Sequence, residues 1–325
     1  MEEFLIKDLG VPEGHIQCLL SPIPIPSPDP SNNSRRIDPE ERRIVGAVTS
    51  PIRKNIIDTL LGLSTDSQIL HGDNIIIYFS GHGSSYDLSD FDKSGDISAE
   101  GFIEALCPVD RTSSDTDVSI PDISDREINT ILAEISRKKG NHITFILDCC
   151  HSSGASRNPS QPLNVVRRAP SLPATSIQDM LDAAHTRLKN LPKYRSVFKG
   201  NWKPDMTSHV VLAACEAFQY ALEKEGADNR CNGIFTQALI KVLKSDSSKE
   251  LESTYVDLIG ALKMPQNSQQ TPVVAGNMNA RLWYQPEMNK KVSPPQEPIA
   301  PGAWWSAMLL SGVGVGVAPQ KCGKI

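Results

Sequence analysis

Two short stretches hold residue types that could do chemistry. In ILDCCHSSG (residues 146–154) two adjacent cysteines and a histidine follow an apolar run, and in YFSGHGSS (78–85) a histidine stands between two glycines at the end of another. A thiol beside an imidazole is a nucleophile and base pair, because histidine takes the thiol proton or holds the thiolate as an ion pair. If the two runs are neighbouring strands, His82 and one of the cysteines, Cys149 or Cys150, face one crevice. Gly81 and Gly83 let the chain turn sharply around His82. The N–H of Gly83 and that of the reacting cysteine are then candidate donors to a developing oxyanion. Each feature alone is ordinary at a strand end; their pairing is what points to catalysis. A dinucleotide site fits less well, since GHGSS lacks the third glycine and no helical pattern follows it.

The elements that must position these residues alternate. HIQCLL (15–20), NIIIYF (74–79), HITFIL (142–147) and HVVLAA (209–214) are short, rich in β-branched residues and apolar on both faces, which predicts parallel strands covered on both sides. TSPIRKNIIDTLLGL (49–63) places a hydroxyl residue before Pro51 and spaces Ile52, Ile56 and Leu60 along one face, predicting an amphipathic helix that starts at the proline. SDREINTILAEISRKKG (124–140) opens with Ser124 and Glu127 in capping-box spacing and ends on basic residues before Gly140. GIFTQALIKVLK and TYVDLIGALK predict two further helices, and TPVVAGNMNARLWY a last strand. The class is α/β.

Composition bounds the function. The 325 residues carry 33 basic and 38 acidic side chains, a net charge of -5, without a long basic run, so a nucleic-acid partner is not expected. MEEFLIKDLG lacks the basic start and unbroken apolar stretch of a secretory signal, which predicts a cytoplasmic protein with reduced thiols. The seven cysteines show no Cys-x-x-Cys pairs, so no structural zinc site is expected. The uncharged run at 298–320 is broken by glycines and prolines and is too short in its apolar part for a membrane span; a docked or disordered tail is expected. Residues 21–43 are an exposed insertion. Residues 155–205 are a long connection with scattered basic residues (Arg157, Arg167, Arg168, Arg187, Lys189, Lys193, Arg195) and one weak helical stretch near 180–188.

YFSGHGS followed by ILDCCHSSG resembles the two catalytic blocks of the caspase-like cysteine peptidases, in the fungal metacaspase form. DLGVPEGHIQCLL, EALCPVD, IPDISDREIN and LAACEAFQYA with GIFTQAL are similar to that family in content and order, over most of residues 1–285. The resemblance implies a caspase-like three-layer sandwich with a mostly parallel central sheet. It also implies a peptidase domain at 1–285, divided into a large part (1–155), a linker (156–205) and a small part (206–285), with a Pro-rich, apolar tail at 286–325. By the same resemblance Cys150 is the nucleophile, Cys149 a variable position and His82 the base. Asp148 and Ser80 line the pocket for the residue before the cut, which implies protein or peptide substrates with Arg or Lys there. A carboxylate in a partly dry pocket pairs well with such a cation. His142 and His151 are expected to be structural.

The family pattern also contains a strand and helix upstream of FLIKDLGVPEGHIQCLL that this sequence does not show. The implied sheet is therefore short of one central strand, which leaves backbone groups to be satisfied; RRIVGAVTS (42–50) is a weak substitute. On that ground a truncated, inactive caspase-like binding or regulatory module is the alternative function. Calcium sites of some relatives are matched only in part: Asp125 fits, whereas Arg126 and Arg157 stand where further carboxylates would. DKSGDISAEGF (92–102) begins like an EF-hand loop but has Ile103 where the bidentate Glu belongs. No metal or other cofactor is expected. Family members often cut their own linker, and its basic residues are compatible with that.

Overall fold

The computed structural model describes residues 1–21, 49–90, 101–112, 119–150, 167, 169–216, 219–225, 231–245, 254–266, 268–282 and 305–311. In chain order, α1 (Glu2–Lys7) precedes β1 (Ile16–Leu20), α2 (Arg53–Leu63), β2 (Asn74–Ser80), β3 (Gly83–Asp87), β4 (Phe102–Leu106), β5 (Ile123–Ser124), α3 (Asp125–Lys139) and β6 (Ile143–Asp148). The chain continues through α4 (Thr175–Leu188), β7 (Val210–Ala213), β8 (Glu223–Glu225), β9 (Cys231–Gly233), α5 (Ile234–Leu243), α6 (Tyr255–Ala261), β10 (Val273–Gly276) and β11 (Trp305–Ser311). The main sheet has the order β1-β11-β2-β6-β7-β10, parallel except for β10, which runs antiparallel to β7.

The pleat of the central strands builds both cores. Ile75, Ile77 and Phe79 of β2, with Ile143 and Phe145 of β6, pack against Ile56 and Leu60 of α2 and Ile128, Ile131, Leu132 and Ile135 of α3. Ile76, Tyr78 and Ile146 point the other way, toward Phe4 and Leu5 of α1, Phe235 and Leu239 of α5, and Tyr255 and Leu258 of α6. Burying each of these large side chains stabilises the fold by roughly 2 kcal/mol. The result is the mixed α/β/α sandwich with a mostly parallel central sheet that the sequence predicts. A small sheet, β3-β4-β5, carries α4 on Tyr86, Ile103 and Ala105 through Ile177, Met180, Leu181 and Ala184.

Three local expectations change. Helix α2 begins at Arg53, not at Pro51, because the Asp110 carboxylate, 57 residues away, accepts the Arg53 N–H at 2.8 Å. The Ser124 hydroxyl does accept the Glu127 N–H at 3.1 Å, but the Glu127 carboxylate leaves the cap for Arg53 at 2.5 Å. The sheet, expected to be short of a central strand, is closed there by a C-terminal one. Residues 305–311 of β11 pair in parallel with β1 on one side (Ile16↔Ala307 to Leu20↔Ser311) and β2 on the other (Asn74↔Trp305 to Ser80↔Ser311). RRIVGAVTS lies mostly outside the described residues; its Thr49 bridges Leu19. Among the described residues no helix is long and apolar enough to cross a membrane.

Candidate active site

Strands β2 and β6 are neighbours, and their last registered pair is Ser80↔Asp148. His82 and Cys150 each lie two residues further on, so the parallel register brings both loops to the same carboxyl end of the sheet. His82 is half-buried between β2 and β3, and its carbonyl accepts the Cys107 N–H at 3.0 Å. Cys149 and Cys150, though adjacent, belong to opposite cores: Cys149 packs with the α2/α3 side and Cys150 with the α5/α6 side. His142 is exposed, with Nδ1 2.9 Å from the Gly72 carbonyl oxygen, well away from this end; His151 lies outside the described residues.

The Cys150 thiol rests on the Ala221 backbone, 2.8 Å from its N–H nitrogen and 3.4 Å from its carbonyl oxygen. Its pKa is lowered, first by the Cys215 thiol that donates to it and then by the N–H groups of Ala221 and Arg167, against the opposing effect of burial. Cys215, as the donor of that pair, is held protonated. The Cys149 thiol is pushed well up by burial, then by Cys150 and Asp148, and is inert.

Asp148 is fully buried. Its Oδ2 accepts from the Thr236 hydroxyl, which in turn lies 2.9 Å from the Tyr78 hydroxyl. At the head of α5, Gly233 abuts the same carboxylate so closely that a Cβ there would fall 1.9 Å from Oδ2. Only glycine permits this approach.

A cation of the chain itself already pairs with this carboxylate. Arg167, 7% exposed, donates to the Ser80 hydroxyl at 2.5 Å and the Asp148 carbonyl at 3.0 Å, lies 3.4 Å from Asp148 Oδ2, and pairs with Glu223 Oε1 at 2.9 Å. Burial disfavours its charge, but the Asp148 and Glu223 carboxylates outweigh that and raise its pKa. Its carbonyl oxygen accepts the N–H groups of Cys150 at 3.1 Å and of Gly83 at 3.4 Å.

The family comparison covers both strand ends: residues 34–159 match the family model described as metacaspase, peptidase C14 domain. That stretch is similar to a metacaspase domain. None of the curated proteins matches the chain. The model describes a peptidase domain of the C14 class, and its match takes in both His82 and Cys150.

Sequence reasoning singled out His82, Gly83, Cys150, Asp148 and Ser80, and the structure gathers all five at one end of the main sheet. It missed Glu223, Thr236, Ala221, Cys215 and Gly233, all of which follow the linker. It also counted Arg167 only among scattered basic residues. The one available signal was LAACEAFQYA with GIFTQAL, whose similarity to the family flagged the segment without assigning roles. Of the calcium candidates, Asp125 is half-buried, with its pKa raised to about 6 chiefly by desolvation, and Arg126 donates to the Val197 and Lys199 carbonyls. Residues 91–100 and Arg157 lie outside the described residues. Among the described residues no group of three or more His, Cys, Asp or Glu could hold a metal ion.

Proposed function

We propose that this chain is a cysteine endopeptidase that cuts after Arg or Lys, with Cys150 as nucleophile and His82 as base. The observation that supports it is the disposition of Arg167. Its guanidinium lies between Asp148, Ser80 and Glu223 while its carbonyl oxygen receives the Cys150 and Gly83 N–H groups. A peptide group so held is polarised toward attack, and the same two donors strengthen as the oxygen becomes an anion.

In the reaction the Cys150 thiolate leaves Ala221 and adds to the substrate carbonyl carbon. The tetrahedral intermediate collapses as imidazolium His82 protonates the leaving amine nitrogen, which breaks the C–N bond and leaves a thioester. Water, losing a proton to His82, then adds to the thioester; the C–S bond breaks, and the acid product and thiol are regenerated. Asp148 and Glu223 select the cation, since a neutral side chain leaves a buried carboxylate unpaired.

Cys150→Ala is expected to lower kcat/KM on an Arg-containing peptide by at least about 1000-fold, whereas Cys149→Ala retains activity within about threefold. Equal loss in both variants would overturn the assignment. A binding module without peptidase activity is a second reading, favoured by the thiol's engagement with Ala221 and Cys215. Rapid labelling of Cys150 in the folded protein by a thiol-directed electrophile decides against it.

A further inference from the structure

We infer that the outer edge of β3 is a binding groove for the part of a substrate that follows the cut bond, with Gly83, Ser85, Tyr86 and Arg111 as its anchors. This rests on the peptidase reading above and adds to it the second half of the substrate site. In the small sheet β3 pairs only with β4, so its other edge has no strand beside it among the described residues. The register decides which groups that edge offers. Gly83 stands opposite Leu106, and the His82 carbonyl takes the Cys107 N–H at 3.0 Å. In such an antiparallel ladder Gly83 and Ser85 turn their own N–H and C=O groups away from β4, toward the free edge.

The chain's own residues 169–172 show what this edge accepts. The Ala169 N–H donates to the Gly83 carbonyl at 3.0 Å and the Ser171 hydroxyl to the Ser85 carbonyl at 2.6 Å. The Leu172 N–H donates to the Tyr86 hydroxyl oxygen at 3.3 Å, and Arg111 donates to the Pro170 carbonyl at 3.1 Å. The last two anchors are themselves fixed: the Tyr86 hydroxyl donates to the Asp122 carboxylate at 2.6 Å, and Arg111 grips that carboxylate through two nitrogens at 2.7 Å each. Apart from Ser171, these contacts go to the backbone of the seated segment, and the Pro170 and Ser171 side chains stay exposed. Backbone contacts of this kind suit any extended peptide, whatever its side chains. Leu172 is the exception, since it packs on the apolar cluster that contains Tyr86, Leu88 and Ile103 and so marks a place for one apolar side chain.

Gly83 joins this edge to the reactive centre. Its N–H lies 3.4 Å from the Arg167 carbonyl oxygen, beside the Cys150 N–H, while its C=O takes the N–H of Ala169, two residues further on. A substrate whose reacting carbonyl sits between the Cys150 and Gly83 donors therefore carries its following residues onto β3, in place of residues 169–172. The groove asks for an N–H on the second residue after the cut, which excludes proline there, and for an apolar side chain on the fifth, the place that Leu172 holds. Anchoring a chain on both sides of a bond fixes the bond itself, which is the condition for near-attack geometry.

The test is cleavage of synthetic peptides by the full chain, with the products resolved by chromatography. All the peptides share one segment that ends in Arg. One continues for two residues, the second of them Ala; another continues for five, with Ala second and Leu fifth. The longer peptide should be cut with a kcat/KM at least about tenfold higher. Proline at its second position, or Asp in place of its Leu, should remove most of that gain. Tyr86→Phe, shown folded by thermal melting, should lower the long-to-short ratio of kcat/KM by at least about threefold, mainly through KM for the long peptide. Equal kcat/KM for the two lengths, or a gain that survives both proline and Asp, overturns the inference and leaves the peptidase reading standing; residues 169–172 then rest on β3 as structure only. No cleavage of any of these peptides by the folded wild-type chain overturns both.

Discussion

Cys149 and Cys150 show how a strand's pleat makes neighbours unequal: one thiol enters the α2/α3 core and is driven up in pKa, the other meets three hydrogen-bond donors. Because the Cys215 thiol is the largest influence holding the Cys150 pKa down, Cys215→Ala should raise it. The sign follows directly: with a higher pKa the thiolate fraction at neutral pH falls. The pH of half-maximal alkylation should therefore move upward, and neutral-pH labelling should slow. Gly233→Ala should push the Asp148 carboxylate from its seat, since the added Cβ would lie 1.9 Å from Oδ2. The expected result is a loss of about 100-fold in kcat/KM for Arg over neutral peptides, with about 1–3 kcal/mol of stability lost to overpacking. Paired peptide kinetics and denaturant melts read the two effects. Asp148 was legible in the sequence because it stands in ILDCCHSSG, the block whose resemblance to the family assigns it a role. Gly233 was not, because its role is a contact across 85 residues.

At the scale of elements, β11 sits between two strands and gives both their backbone partners. Removing residues 291–325 opens two strand edges in the middle of the sheet, leaving N–H and C=O groups of β1 and β2 without partners. The truncated chain should melt at least about 5 °C lower, and amide exchange should accelerate selectively in β1 and β2. A synthetic peptide spanning residues 303–313, added in trans, should restore protection; unchanged exchange in the truncated chain would refute the pairing. The strands β1, β2, β6 and β7 were readable from their apolar runs because burial on both faces writes itself into composition. Strand β11 was not, because glycines and prolines surround it and its partners are more than 200 residues away in sequence. The start of α2 was misplaced for the same kind of reason: its cap, Asp110, is distant in the chain.

Across the whole molecule, buried ion pairs tie elements that sequence places far apart. Arg53 at the head of α2 meets Glu127 in the first turn of α3, and burial pushes the Glu127 carboxyl up to about 7 from its ordinary 4.5 against the pull of that guanidinium. A raised folded-state pKa means a contribution fully present below the unfolded value, about 4.5, and lost as pH rises through about 7. Arg53→Met removes the attraction that opposes the rise. Its deficit against wild type should be small near pH 5, where Glu127 takes up a proton, and grow to about 3 kcal/mol by pH 8, where a buried charge is left unpaired. Urea melts at the two values check it; a deficit that is constant with pH contradicts it.

Sequence alone determined the α/β class, the main parallel strands, and the residues His82, Cys150, Asp148 and Ser80 as candidates. These depend on local signals: apolar runs, glycine turns and a motif that carries its own spacing. Tertiary structure decided what stands around them. It paired Ser80 with Asp148 in register, set Cys215 and Ala221 on the thiol, packed Gly233 and Thr236 on the carboxylate, brought Arg167 to the same carboxylate, and laid β11 into the centre of the sheet. Each of these is a contact between segments whose separation in sequence carries no periodic trace. Only the closing of the sheet and the return of the linker across it bring those segments together.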